Sequence, residues 1–134
     1  MTSSHLEKKK KKERLYIINY DKHDQIGSHW VLIYINNKKT FFFDSYGSKP
    51  RLKMRLFLKK VNNNSNFIFN TQQLQAIGSS VCGFYCIFLA FCFKKRINFY
   101  SFLNFFTQDF LTNDIIVCNV SKEYFPSLVE TPCF

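Results

Sequence analysis

The sequence predicts a single α+β domain: a central mixed or antiparallel sheet packed on a buried helix that carries Cys82 at its N-terminus. Three features predict it. Residues 30–35 (WVLIYI) are apolar at successive positions, so both faces of that strand must be covered. Residues 81–93 (VCGFYCIFLAFCF) form an apolar run closed by Lys94, Lys95 and Arg96. Strand-like segments come first and helical ones after, the order of an α+β domain rather than of alternating βα units.

Taken in chain order, residues 1–14 read as a solvated, disordered basic arm and 15–134 as the domain. Residues 16–20 (YIINY) form a first strand, ended by the turn-rich stretch 21–28. After the central strand, Asn36-Asn37 suits a two-residue hairpin turn, because Asn tolerates the left-handed conformation such turns need. Residues 40–43 then resume as a strand. Pro50 opens a helix running to about residue 60, since its fixed φ suits a first helical turn. On that helix Arg51, Arg55 and Lys59 share one stripe, and Met54, Phe57, Leu58 and Val61 another. Residues 62–66 are a polar loop, 67–69 a short strand and 72–80 a second loop. Ser79 or Ser80 from that loop can cap the apolar helix. Residues 101–110 and 114–125 complete the helical set.

Composition narrows the function. Of 134 residues 46% are hydrophobic and 17 are Phe, against 4 Gly and 3 Pro, which excludes a disordered or collagen-like chain. The net charge is +10. Residues 7–14 (EKKKKKER) hold six positives and two negatives, leaving 13 against 7, or +6, on the rest. Five cysteines (Cys82, Cys86, Cys92, Cys118 and Cys133) follow no apolar leader, so we expect a reducing, intracellular setting without a disulfide framework. The apolar run falls short of the roughly 20 residues that cross a bilayer, and a buried core helix is expected instead.

Three residues carry chemistry by context. Cys82 stands in the first turn of the apolar helix, where unpaired N–H groups and the positive end of the dipole favour an anion. Gly83 beside it lets a backbone approach closely. Cys86 and Cys92, further along the same helix, read as structural. His29 enters the central strand, and Asp44 ends the next one. With Asn36-Asn37 as the turn, Ile35 faces Lys38 and Tyr34 faces Lys39, which sets His29 directly opposite Asp44; a four-residue loop would shift the pairing by two. A carboxylate there can fix the imidazole tautomer and support its charged form. An oxyanion formed on thiolate attack could be met by the Cys82 N–H or by the amide of Gln72, Gln73 or Gln75, among which the chemistry does not choose.

The order His29-Trp30, Asp44-Ser45-Tyr46-Gly47, then Gln75 followed by Cys82-Gly83-Phe84-Tyr85-Cys86, resembles the adenovirus-type cysteine proteases (adenain), within the group that includes SUMO- and ubiquitin-like-protein proteases. The stretch from Tyr16 through Gly27-Ser28-His29-Trp30-Val31 looks closest to the adenain-like proteases of Polinton/Maverick elements and related DNA viruses. The resemblance covers about residues 15–93. It implies His29 as general base, Asp44 as its orienting acid, Cys82 as nucleophile and Gln75, seven residues earlier, as the oxyanion glutamine. It also implies Trp30 and Gly83 at the substrate cleft, and virion precursor proteins cut beside glycine as substrates of a monomeric enzyme in the host nucleus or virion. The chemistry itself needs no cofactor or metal. Through the family, DNA and an activating peptide become candidate cofactors. No Cys lies between Asp44 and Gln75, so the disulfide-linked peptide of adenovirus enzymes has no attachment point there. The arm before His29 is short and the tail after the apolar helix shorter than the family's usual form.

Four rivals stand beside this reading. A protease of ubiquitin-like modifiers would use the same parts. A non-catalytic nucleic-acid module would use Lys8, Lys9, Lys10, Lys11, Lys12, Arg51, Arg55 and Lys59 as phosphate contacts. A zinc site could begin with Cys82 and Cys86, one helical turn apart, but no paired CxxC or His cluster completes four ligands. A decayed or truncated protease frame is the fourth.

Overall fold

The computed structural model describes residues 13–20, 29–37, 39–62 and 66–126. Four strands, β1 (Glu13–Asn19), β2 (Trp30–Asn36), β3 (Lys39–Phe43) and β4 (Ile68–Phe69), form one sheet in that order. The first three are antiparallel, and β4 runs parallel to β3. The crossover between them is α1 (Leu52–Val61); α2 (Cys82–Lys94), α3 (Phe99–Asn104) and α4 (Phe110–Tyr124) follow β4. The expected α+β architecture, a mixed sheet against a buried helix, is what the chain adopts.

The double-sided apolar character of β2 has a direct cause. Leu32 and Tyr34 face a core built with Phe43, Leu74, Tyr85, Leu89, Phe93, Phe102 and Val117. Val31, Ile33 and Ile35 face the opposite side, where they pack with Phe42 of β3 and Leu58 of α1. Side chains alternate along a strand, so a strand with helices on both sides must be apolar throughout. On α1 only Leu58 is fully buried; Phe57, placed by the sequence on the inner stripe, is 44% exposed. Burying each large side chain of these cores is worth about 1.5–3 kcal/mol.

Several boundaries differ from expectation. Glu13 and Arg14 belong to β1 rather than to the basic arm, whose remaining residues 1–12 lie outside the described residues. The β2–β3 ladder pairs Asn36 with Lys39 and Leu32 with Phe43, two positions away from the pairing that Asn36-Asn37 as a turn would give. Asn37 indeed takes a positive φ of 49°, as the turn chemistry demands. The helix expected over 101–110 is the shorter α3, begun by Asn98, whose side chain accepts from Ser101 N. Asp109 starts α4 in the same way through Thr112 N. Cys118 on α4 is disulfide-bonded, whereas Cys82, Cys86 and Cys92 are free thiols. Among the described residues no helix is long and apolar enough to cross a membrane.

Candidate active site

The site forms where the start of β2, the end of β3 and the start of α2 meet. Nε2 of His29 donates to Oδ1 of Asp44 at 2.9 Å, and both side chains are largely shielded from solvent. In the observed register the two are diagonal rather than opposite neighbours, which remains within reach of side chains this long. The position that faces His29 when the ladder is extended is Tyr46, whose ring stacks on the imidazole at 5.0 Å and 29°.

Asp44 is held from every side. Its Oδ1 also accepts from Tyr46 N at 2.8 Å, and its backbone O accepts from Gly47 N at 2.8 Å. Asn70, itself buried, accepts from Asp44 N through Oδ1 and donates from Nδ2 to Asp44 O and Gln72 O. Gly47 has a φ of +73°, and a Cβ there would stand 2.7 Å from the backbone of Thr71 and Gln72. That turn thus presses the Asp44 corner against the loop leading to α2.

The third member arrives with α2. Trp30 N donates to Cys82 Sγ at 3.4 Å. Burial works to lower the pKa of His29, but the Asp44 hydrogen bond, then the Cys82 thiol, and their charges outweigh it and raise it to about 9. Nε2 is taken by Asp44, and Nδ1 is buried without a conventional hydrogen bond. Cys82 is only 3% exposed, and the ring of Trp30 lies 3.6 Å from where a Cβ on Gly83 would be. Cys86 Sγ donates to Trp30 O at 3.5 Å, and burial pushes its thiol well up, which keeps it protonated.

No side chain caps α2. Its N-cap is Val81, not Ser79 or Ser80 as the sequence suggested, so the first-turn N–H groups have no side-chain acceptor. Ser79 is occupied otherwise: its O and Oγ accept from Gln75 Nε2 at 3.0 and 2.9 Å. Gln75 is fully buried, and its Oε1 accepts from Ser45 Oγ at 2.5 Å. The Gln75 amide nitrogen is therefore engaged by Ser79 here. The Gln73 amide bonds Gln75 O, and that of Gln72 reaches Leu103 O.

Sequence reasoning missed the residues that hold this loop. Asp114 of α4, wholly buried, accepts from Tyr85 Oη at 2.7 Å and from Ala76 N at 3.3 Å. Neighbouring Asn113 donates to Leu74 O and Thr107 O. The adjacent Asn113 and Asp114, set just before the apolar stretch Ile115–Cys118, were the available signal. The basic residues do not join the site as a group. Arg51 lies over the ring of Tyr20 at 4.0 Å and its backbone and guanidinium bond Tyr20, while Arg55 and Lys59 are exposed on α1. Among the described residues no group of three or more His, Cys, Asp or Glu side chains is gathered as a metal site would require.

Comparison with known proteins bears on this constellation. No protein-family profile matches the chain. It is 31% identical over 98 aligned positions to the protease of Ovine adenovirus D serotype 7, covering 63% of this chain and 49% of that protein. The chain is thus similar to a viral protease of the adenoviruses. It is also 33% identical over 84 positions to R355 of Acanthamoeba polyphaga mimivirus, designated an inferred thiol protease, covering 54% of this chain and 28% of that one. The fold matches the crystal structure of the ASFV pS273R protease with a TM-score of 0.59 at 17% identity, over 72% of this chain and 40% of the other. The chain spans less than half the length of the relatives it matches.

Proposed function

We propose that the protein is a cysteine endopeptidase in which Cys82 is the nucleophile, His29 the general acid and base, and Asp44 the carboxylate that orients it. One observation carries the reading: the imidazole is held between a buried carboxylate and a thiol at an uncapped helix N-terminus. An imidazolium, the Trp30 N–H and the helix end all favour negative charge on sulfur. In the reaction the Cys82 thiolate attacks a peptide carbonyl, His29 protonates the leaving amine, and a water deprotonated by His29 hydrolyses the thioester. The developing oxyanion faces the first-turn N–H groups of α2, beginning with that of Cys82. Gln75 becomes a second donor when bound substrate draws its amide away from Ser79.

The near-complete burial of Cys82 and the packing of Trp30 against Gly83 favour a narrow approach, suited to glycine beside the scissile bond. Viral precursor proteins are the substrate class we assign, by analogy with the relatives' names as viral proteases, with action in the virion or host nucleus. Incubation with a vinyl-sulfone peptide ending in Gly-Gly, followed by mass spectrometry, tests the mechanism. We expect one adduct, on Cys82, lost in His29→Gln. Comparable labelling of Cys82, Cys86 and Cys92, indifferent to His29, would overturn it. Ubiquitin-like conjugates assayed alongside capsid precursors test the substrate class.

A further inference from the structure

We propose that Tyr46 is a positioning residue of this centre, clamping the His29 ring by its face while its backbone and hydroxyl tie that ring to Asp44 and to the loop before Cys82. The inference rests on the protease reading for its catalytic consequence, though not for its geometry. Three contacts from one residue converge. The Tyr46 ring stacks on the imidazole at 5.0 Å, its N–H donates to Asp44 Oδ1 at 2.8 Å, and its hydroxyl donates to Ser79 O at 3.3 Å. Ser79 is the residue that holds the Gln75 amide. Tyr46 thereby joins acid, base and the loop leading to α2 in one unit.

The physical effect is twofold. An imidazolium within about 6 Å of an aromatic face is attracted by the ring quadrupole, and more strongly where water is excluded. A near-parallel stack also resists rotation of the imidazole, which would take Nε2 off Asp44. Burial raises the hydroxyl pKa of Tyr46, so it stays neutral and keeps donating. The described groups facing His29 are Asp44 and Cys82, with the rings of Tyr46 and, at 6.2 Å and a steeper angle, Tyr20. Tyr46 is held by its short link to Asp44 and by the tight turn at Gly47 that follows.

Ring chemistry separates positioning from mere packing. The variants are Tyr46→Leu, Tyr46→Phe, and Tyr46 replaced by pentafluorophenylalanine, which keeps the shape of Phe but reverses the charge on its face. The ionisation of His29 is followed by NMR of histidine-labelled protein, its signal assigned by its loss in His29→Gln. Turnover is measured on a Gly-Gly peptide. We expect Tyr46→Phe to hold the His29 pKa, and both Tyr46→Leu and the fluorinated ring to lower it by about half a unit to one unit. The Leu variant should also lose about tenfold in kcat/KM. An unchanged His29 pKa across all three would overturn the proposal even if activity fell. Should Tyr46→Leu fail to fold, Phe against its fluorinated counterpart decides alone. A wild-type protein without turnover whose His29 pKa still follows ring electron density would support the clamp and remove the protease reading.

Discussion

His29 concentrates the chemistry of the molecule in one ionisation. Its pKa of about 9 results from burial, which opposes the charge, being outweighed by Asp44 and Cys82. Because the folded value lies above the unfolded 6.5, the charged ring stabilises the fold fully below about pH 6.5, and that contribution disappears as pH rises through about 9. The stability gap between wild type and His29→Gln, measured by urea unfolding, should therefore narrow between pH 6 and pH 10. Turnover should fall along the same alkaline limb as the general acid is lost. In Asp44→Asn the carboxylate's support vanishes, so the limb should move toward neutral pH, with kcat/KM lower by on the order of two decades or more. A pH–rate profile reads both effects. His29, Asp44 and Cys82 were legible in the sequence through their order and local settings. Tyr46 was not, because its role depends on a register two positions away from the expected one. Asn36 and Asn37 are both able to turn, and moving the turn by one residue leaves every side chain on its original face. Neither turn chemistry nor hydrophobic pattern could separate the two.

The elements divide into those that supply the chemistry and those that keep it in place. β2, β3 and α2 deliver His29, Asp44 and Cys82, whereas α4 holds the 74–76 loop through Asp114 and Asn113. Replacing Asp114 with Ala leaves buried Tyr85 Oη without that acceptor and part-buried Ala76 N unpaired, at a cost of about 1–3 kcal/mol. Urea unfolding should show that loss, and amide exchange should quicken first at Ala76. The Gly47 turn is a second support. Gly47→Ala must both adopt a positive φ and displace backbone at 2.7 Å, so a loss of at least about 1–2 kcal/mol is expected, together with weaker thiol labelling by the vinyl sulfone. The apolar runs announced β2 and α2 because burial on every side leaves a continuous hydrophobic signature. The α2 cap was not legible: two serines preceded the helix, but Gln75 had already engaged one of them.

Across the whole molecule, the +10 charge is the feature that the site leaves unused. Arg51 is committed in part to Tyr20, so of the phosphate-contact residues expected from the sequence, residues 8–12 with Arg55 and Lys59 remain. We propose that these make electrostatic contact with nucleic acid, separately from peptide cleavage. Removal of residues 1–12 should weaken DNA retention, flatten its salt dependence and leave turnover of a short peptide unchanged; filter binding across a salt series and the peptide assay test this. Cys82→Ala should abolish turnover and leave DNA retention intact.

Residue order alone established the α+β class, the covered central strand and the buried helix with a cysteine at its head, because burial and chain direction both leave marks in composition. Packing had to settle the rest: which Asn turns the hairpin, which ring lies on His29, where the Gln75 amide points, and how α4 braces the loop before Cys82. Each of these depends on partners separated by many residues, and hydrogen bonds between distant side chains leave no periodicity in a sequence.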